Sequence, residues 1–224
     1  MYDIFYTFTN KDEGNIAYHV PDKKENVDKN RLELANKFSF DIKKLISMNQ
    51  VHGDNIVIVD ENSPNIIDKC DAIITDKKGL TLMVMVADCI PILMFDKFKG
   101  VIAAVHAGRN STFQNIAKKT ALKMRDEFGS ILENIEVVMG PSIQKCCYEV
   151  DEKLANIVKT SFGIEFENNR YIDLQGINRK QLSDIDVTNI NITNICTKCS
   201  GVNFFSYRID KNCGRFAGII SILS

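Results

Sequence analysis

From Asn55 to Val105 the chain is a succession of short apolar runs rich in β-branched residues, and this stretch constrains the fold more than any other. Ile56-Val57-Ile58-Val59, Ala72-Ile73-Ile74, Leu80 to Val86, Ile90 to Phe95 and Val101 to Val105 follow one another with turn residues between them. The later runs are apolar at nearly every position instead of every second one, the pattern of strands covered on both faces. Beyond them, Phe113, Ile116, Ala117, Ala121, Met124 and Phe128 recur at the helical period. Ser111 and Gln114 are spaced as a capping box for that helix, and Gly129 is placed to end it. A strand is expected at Ile135 to Met139, stopped by Gly140-Pro141. Asp151 is expected to cap a second helix with Leu154, Ile157, Val158 and Phe162 on one face, and Asn178 to Leu182 reads as a short third helix. The charged run Asp22 to Asn26 reads as a loop or helix start ahead of Asn30 to Leu34. At the far end, Phe204 to Arg208 and a turn around Asp210 to Cys213 precede a strand over Ala217 to Leu223. Strands with interspersed helices and no strict βαβ rhythm predict an α+β fold, a mixed β-sheet sandwich with flanking helices.

With 224 residues and 45% hydrophobic content, the chain suffices for one core, so residues 1–224 are expected to form a single domain. Twenty-eight basic and 29 acidic side chains leave a formal charge of −1, which provides no field for recruiting nucleic acid or an anionic membrane. An anionic substrate would need a local pocket. The longest apolar stretch, Leu80 to Phe95, is broken by Asp88, and Met1 to Phe5 shows no basic segment followed by an apolar one. A cytoplasmic chain is expected. Seven cysteines, an odd and scattered count, fit a reducing compartment better than a disulfide scaffold. Cys196 and Cys199 form a CxxC pair, but no second such pair completes a four-thiolate site, so these read as ordinary thiols.

Chemistry concentrates elsewhere. His52 and His106, two of the chain's three histidines, and Cys89 lie at the edges of apolar segments, in Asn49-Gln50-Val51-His52-Gly53, Ala87-Asp88-Cys89-Ile90-Pro91 and Val105-His106-Ala107-Gly108-Arg109. Two imidazoles and a thiolate are a ligand set that Zn²⁺ takes in a catalytic site with its fourth position open. The same atoms could serve as a cysteine nucleophile and its base. Asp88 stands in an otherwise apolar stretch, where an unpaired carboxylate is costly, so it is expected to orient a ligand or pair with a cation. Gly53 and Gly108 permit close backbone approach beside the two histidines. Arg109, at the mouth of the helix after His106, would reinforce an anion site at that N-terminus.

These phrases, together with Asp71-Ala72-Ile73-Ile74-Thr75-Asp76, Gly140-Pro141-Ser142-Ile143, Cys147-Tyr148-Glu149-Val150, Phe205-Ser206-Tyr207-Arg208 and Gly214-Arg215, occur in the order seen in the YfiH-like family. The chain resembles that family, also called the laccase-domain or polyphenol oxidase family, through nearly its whole length. The match is weakest before residue 45 and between 155 and 170. The resemblance implies a zinc site at His52, Cys89 and His106, and phosphorolysis of adenosine, inosine, guanosine and methylthioadenosine, with adenosine deamination besides. Purine nucleosides and inorganic phosphate would then be the small-molecule partners. A multicopper mechanism fits badly, since three histidines are too few for a blue site and a trinuclear cluster.

The family usually continues His-Ala-Gly with Trp-Arg-Gly, whereas this chain reads Arg109-Asn110-Ser111. The expected substrate-binding set is Gln50, Arg109, Tyr148, Arg208 and Arg215, with at least one arginine on phosphate, because forked guanidinium donors match its oxygens. The expected catalytic set is His52, Asp88, Cys89 and His106. Two rivals remain open: a metal-free amidohydrolase acting on cell-wall precursors, with Cys89 as nucleophile and His106 as base, and a non-enzymatic binding protein.

Overall fold

The computed structural model describes residues 1–223. The first half runs through β1 (Ile4–Phe8), α1 (Lys24–Phe38), β2 (Leu45–Asn49), β3 (Ile56–Ile58), β4 (Ile66–Asp68), β5 (Ala72–Thr75), β6 (Thr81–Val86), β7 (Ile90–Asp96) and β8 (Val101–Ala107). The second half adds α2 (Arg109–Phe113), α3 (Ile116–Phe128), β9 (Glu136–Met139), α4 (Glu152–Ser161), β10 (Glu167–Asn168), β11 (Tyr171–Ile172), α5 (Leu174–Ser183), β12 (Asn189–Ile192) and β13 (Phe216–Ile222). One sheet has the order β1-β13-β6-β2-β4 and the other β12-β9-β7-β8-β5-β3, with β10 and β11 as a separate ribbon. Both large sheets are mixed: β2 runs parallel to β4 and β6, β3 to β5, and β12 to β9, and the remaining pairs are antiparallel.

The unbroken apolar text of β6, β7 and β8 follows from four stacked layers. Leu93, Phe95, Ile102 and Ala104 face the other sheet and meet Leu82, Val84, Phe216 and Ile220 there. The alternate residues Ile92, Met94, Ala103 and Val105 turn outward under Ile116, Ala121, Ile177 and Leu182 of α3 and α5. On the opposite outer face Met83, Met85 and Ile219 lie under Leu34 of α1 and the Ile16-Ala17 segment. With both faces of each central strand buried, neither parity of position is free to be polar. The expected α+β class and sheet sandwich are what the chain forms.

Some elements differ from expectation. The helix after β8 is two helices, broken where Asn115 takes a left-handed φ of 62°. Ser111 does not cap it. The chain enters α2 straight from β8 at Gly108, so Ser111 already lies inside α2, buried, with its hydroxyl unpartnered among the described residues. Gly129 does end α3 in the left-handed region, and Asp151 does cap α4 by accepting from the Leu154 N–H at 2.8 Å. The third helix, α5, begins four residues earlier than expected, capped by Asp173. Its buried stripe contains Gln175, Asn178 and Gln181, whose amides donate to Ser142, Thr112 and the Thr112 carbonyl. Polar residues that find partners only in the folded protein concealed the helical pattern. Buried Arg31, which donates to the Ile16 carbonyl at 2.8 Å, does the same in α1. Among the described residues no helix is long and apolar enough to cross a membrane.

Candidate functional site

β6 belongs to one sheet and β7 to the other, so the chain must cross between layers at Ala87-Asp88-Cys89. Asp88 makes the corner at a φ of 85°, a region that residues with a Cβ seldom adopt. Among the described residues its buried carboxylate meets no cationic side chain. One oxygen accepts from the Thr197 hydroxyl at 2.6 Å and the other from the Arg208 backbone N–H at 2.7 Å. Asp88 therefore fastens two distant segments to the corner that presents Cys89.

His106 is the penultimate residue of β8, opposite Pro91 in register, and the β7–β8 pairing carries it beside Cys89. His52 lies in the loop after β2, at a left-handed φ of 59°. One residue holds both histidines. Fully buried Asp71 accepts from the backbone N–H groups of Val51, His52 and Gly53 at 3.2, 3.0 and 2.7 Å, and from His106 Nδ1 at 2.8 Å. A carboxylate can only accept there, so His106 carries its proton on Nδ1 and Nε2 is the nitrogen left for another partner.

The three side chains converge. The His52 and His106 rings stand edge to face with centroids 4.7 Å apart, and Cys89 Sγ is 3.9 Å from His52 Nε2. All three ligand atoms fall within 4.8 Å of one another. A tetrahedral zinc ion with bonds of about 2.0 to 2.3 Å would need separations of about 3.3 to 3.8 Å, a small contraction from this arrangement. The backbone keeps the space clear: a Cβ on Gly108 would lie 3.0 Å from His52 Cδ2 and 3.1 Å from Cys89 Sγ. Burial raises the Cys89 thiol, but the neighbouring His106 charge and hydrogen bonds from both imidazoles outweigh it and bring the thiol down to about 6. Burial lowers His106, and the Cys89 thiolate with Asp71 overrides this and takes it up to about 9. A half-buried thiolate and two converging imidazoles suit a soft or borderline divalent cation, and the residues present fit such an ion.

Gly108→Ala is expected to leave the fold intact, because its φ of −72° suits any residue. The added methyl would displace two ligands, so metal affinity should fall by about 10 to 100-fold, the scale of a disturbed ligand orientation. Competition against a chelating dye checks this.

Beside these three side chains lies a cavity of about 300 Å³, lined by His52, Cys89, Arg109, Tyr148, Tyr207 and Arg208 among others. A second hollow of about 450 Å³ shares Arg109, Tyr148 and Arg208 and continues to Glu149 and Arg170, which form an ion pair. The Arg208 guanidinium lies 5.0 Å from the centre of the Tyr148 ring and donates to the Glu149 carbonyl at 2.9 Å. Arg109, at the start of α2, is exposed and donates to the Asn110 side chain at 3.1 Å. With only five residues, α2 contributes little dipole, so attraction for an anion rests on the guanidinium groups.

Two of the expected substrate-binding residues do not line this cavity. The Gln50 amide is fully engaged with the Met85 backbone, donating to its carbonyl at 2.8 Å and accepting from its N–H at 2.9 Å. Arg215 donates to the carbonyls of Cys213 and Gly214 at 2.6 and 3.0 Å. Asp71, by contrast, was missed as a site residue, although an isolated acid abutting an apolar strand is the same signal that singled out Asp88. The CxxC reading also needs correction. A second pair does meet it, but as the adjacent Cys146-Cys147, about fifty residues earlier in the chain and joined to it by a parallel bridge between Ser142 and Cys196.

Comparison with known proteins agrees with the sequence motifs. The family model described as multi-copper polyphenol oxidoreductase laccase matches residues 7–223. The chain is 39% identical over 187 residues to a purine nucleoside phosphorylase of Clostridium acetobutylicum, covering 81% of this chain and 78% of that protein. It is 33% identical to one of Corynebacterium glutamicum over 92% of this chain and 85% of the other. Among solved structures, the hypothetical protein YfiH of Bacillus licheniformis superposes with a TM-score of 0.91 at 26% identity, covering 98% of this chain and 92% of that one. YlmD of Geobacillus stearothermophilus gives 0.86 at 28% identity, over 94% and 85% of the two chains. Its motifs, its fold and its match over nearly every residue agree, and the chain belongs to the YfiH-like, laccase-domain family.

Proposed function

We propose that this chain is a zinc-dependent purine nucleoside phosphorylase that uses inorganic phosphate as co-substrate. The observation that carries this reading is a single hollow lined by His52 and Cys89, which cluster with buried His106, and by Arg109 and Arg208. The names of the similar enzymes from Clostridium and Corynebacterium support it. In phosphorolysis a phosphate oxygen forms a bond to the ribose anomeric carbon, while the glycosidic C–N bond breaks and its electron pair leaves with the purine. Arg109 and Arg208 bind and orient the phosphate, as forked donors suit its oxygens. The Tyr148 and Tyr207 rings offer apolar faces for the base, and Asp88, by accepting from the Arg208 backbone N–H and the Thr197 hydroxyl, fastens both segments to the corner that presents Cys89. Asp71 holds His106 in the tautomer that presents Nε2. When bound, zinc supplies Lewis-acid stabilisation of the departing base. Adenosine deamination would use the same hollow.

A panel of adenosine, inosine, guanosine and methylthioadenosine, assayed with and without phosphate, tests this. Phosphate-dependent release of free base is expected, and ammonia release from adenosine would report deamination. Free base released equally without phosphate would overturn the phosphorylase reading. The 3.9 Å approach of Cys89 Sγ to an imidazole also supports a metal-free cysteine hydrolase, which metal-depleted protein active on amide substrates would establish.

Arg109→Ala should raise the Michaelis constant for phosphate by about tenfold, equivalent to about 1.4 kcal/mol, with little change for nucleoside. This is near the low end for a charge-assisted bond because the guanidinium is exposed. Initial rates at varied phosphate and saturating nucleoside check it. An unchanged phosphate dependence would shift the anion-binding role to Arg208.

A further inference from the structure

Away from this cavity, Cys146, Cys147, Cys196 and Cys199 bring four sulfur atoms within 4.8 Å of one another. All four are free thiols. The Cys146 and Cys199 sulfurs are 3.5 Å apart, well beyond the roughly 2.05 Å of a disulfide. Four thiolates around a tetrahedral zinc ion stand about 3.8 Å from each other, which follows from bonds of about 2.3 Å. The scaffold has the features of a thiolate clamp. Two loops are zipped together by Ser142 N–H donating to the Ile195 carbonyl and Thr197 N–H donating to the Ser142 carbonyl, at 3.3 and 3.1 Å. Lys145 and Lys198 directly flank the ligands in sequence, placing positive charge where four thiolates and a divalent ion would leave a net −2.

We propose that these four cysteines hold a second zinc ion, a closed structural site separate from His52, Cys89 and His106. Binding releases the four thiol protons, forms four Zn–S bonds and involves no redox change. Its position gives it a purpose. Cys147 is followed by Tyr148, whose ring lines the cavity, and Cys196 by Thr197, whose hydroxyl holds Asp88 at 2.6 Å. The ion would therefore clamp the loop that carries Tyr148 to the loop whose Thr197 holds Asp88, fixing Tyr148 relative to the corner that carries Cys89.

The test reads metal and not activity, so it stands or falls independently of the phosphorylase reading. Protein purified under reducing conditions without chelator is expected to contain two zinc ions per chain by elemental analysis and by native mass. Cys89→Ala should retain one, and Cys146→Ser with Cys199→Ser should also retain one. Cobalt-substituted Cys89→Ala should keep the intense sulfur-to-cobalt absorption of a four-thiolate centre, and the double variant should lose it. If the double variant fails to fold, the native mass and cobalt spectrum of the unaltered chain still decide. One zinc per unaltered chain with no four-thiolate spectrum would overturn the proposal. So would a mass two hydrogens short with no metal at these cysteines, the signature of a Cys146–Cys199 disulfide.

Discussion

Cys89→Ala is expected to abolish phosphorolysis and to empty the catalytic metal site while leaving the protein folded. Cys89 sits at the crossing between sheets, half-buried, and its side chain contributes a sulfur to the cavity and no backbone hydrogen bond. In the proposed metal site its removal would cost one of three ligands, and the one that is anionic. Disturbing a group that merely orients a ligand typically costs 10 to 100-fold in affinity or activity. Losing the thiolate itself should exceed that, with kcat/KM reduced by more than about 100-fold. Metal content and activity must be measured on the same samples, because the two readings of this site diverge there. A metal-holding Cys89 predicts loss of one zinc along with activity. A nucleophilic Cys89 predicts loss of activity with metal content unchanged, and that outcome would sink the zinc assignment.

Asp71→Asn should damage both stability and metal binding despite being nearly isosteric. One Asp71 oxygen accepts from the His52 N–H and His106 Nδ1, and the other from the Val51 and Gly53 N–H groups. An amide replaces one of those oxygens with a donor, and either orientation turns it toward two N–H groups. Two N–H groups then face a donor, and those of Val51 and Gly53 are only part-buried, so a loss of about 1 to 3 kcal/mol is expected in denaturant unfolding. With the amide N–H₂ turned toward His106, the ring also loses the acceptor that fixes its tautomer, and metal affinity should then fall by about 10 to 100-fold. Burial tends to raise the Asp71 carboxyl, and bonds from His106 and the Gly53 N–H pull it below its usual range. The stability this bond network provides is thus present above the ordinary carboxylate range and is lost as pH falls through the depressed value. A variant as stable and as metal-rich as the parent would show that the loop after β2 and His106 are held by something else.

Two of these effects differ in how far the sequence alone anticipates them. Cys89, His52 and His106 stand out as reactive residues set against apolar strands, and a ligand set is legible from residue type alone. The Cys146-Cys147 pair is not, because a thiol at a loop edge has many ordinary roles until its neighbours are known, and for Asp71 the acid beside an apolar strand signals burial but not its partners. Gln50 errs in the opposite direction. Its place beside His52 in sequence suggests the cavity, yet its amide is consumed by the Met85 backbone on an adjacent strand.

The sequence by itself determined the layered sheet core, since runs such as Leu80 to Val86 and Val101 to Val105 can be stable only with both faces covered. It also determined the chemical character of the site, through two histidines and a cysteine and a surrounding motif order that resembles one family. Only the tertiary structure decided which polar residues join that site. Residues 52, 71, 89 and 106 meet because β6 and β7 lie in different sheets and β7 pairs with β8, and no local pattern records such a crossing. The buried polar stripe of α5 and the four-cysteine cluster have the same cause. Their partners lie some 30 to 70 residues away in sequence, and hydrogen bonding or coordination that is satisfied only across elements leaves no periodicity to be read.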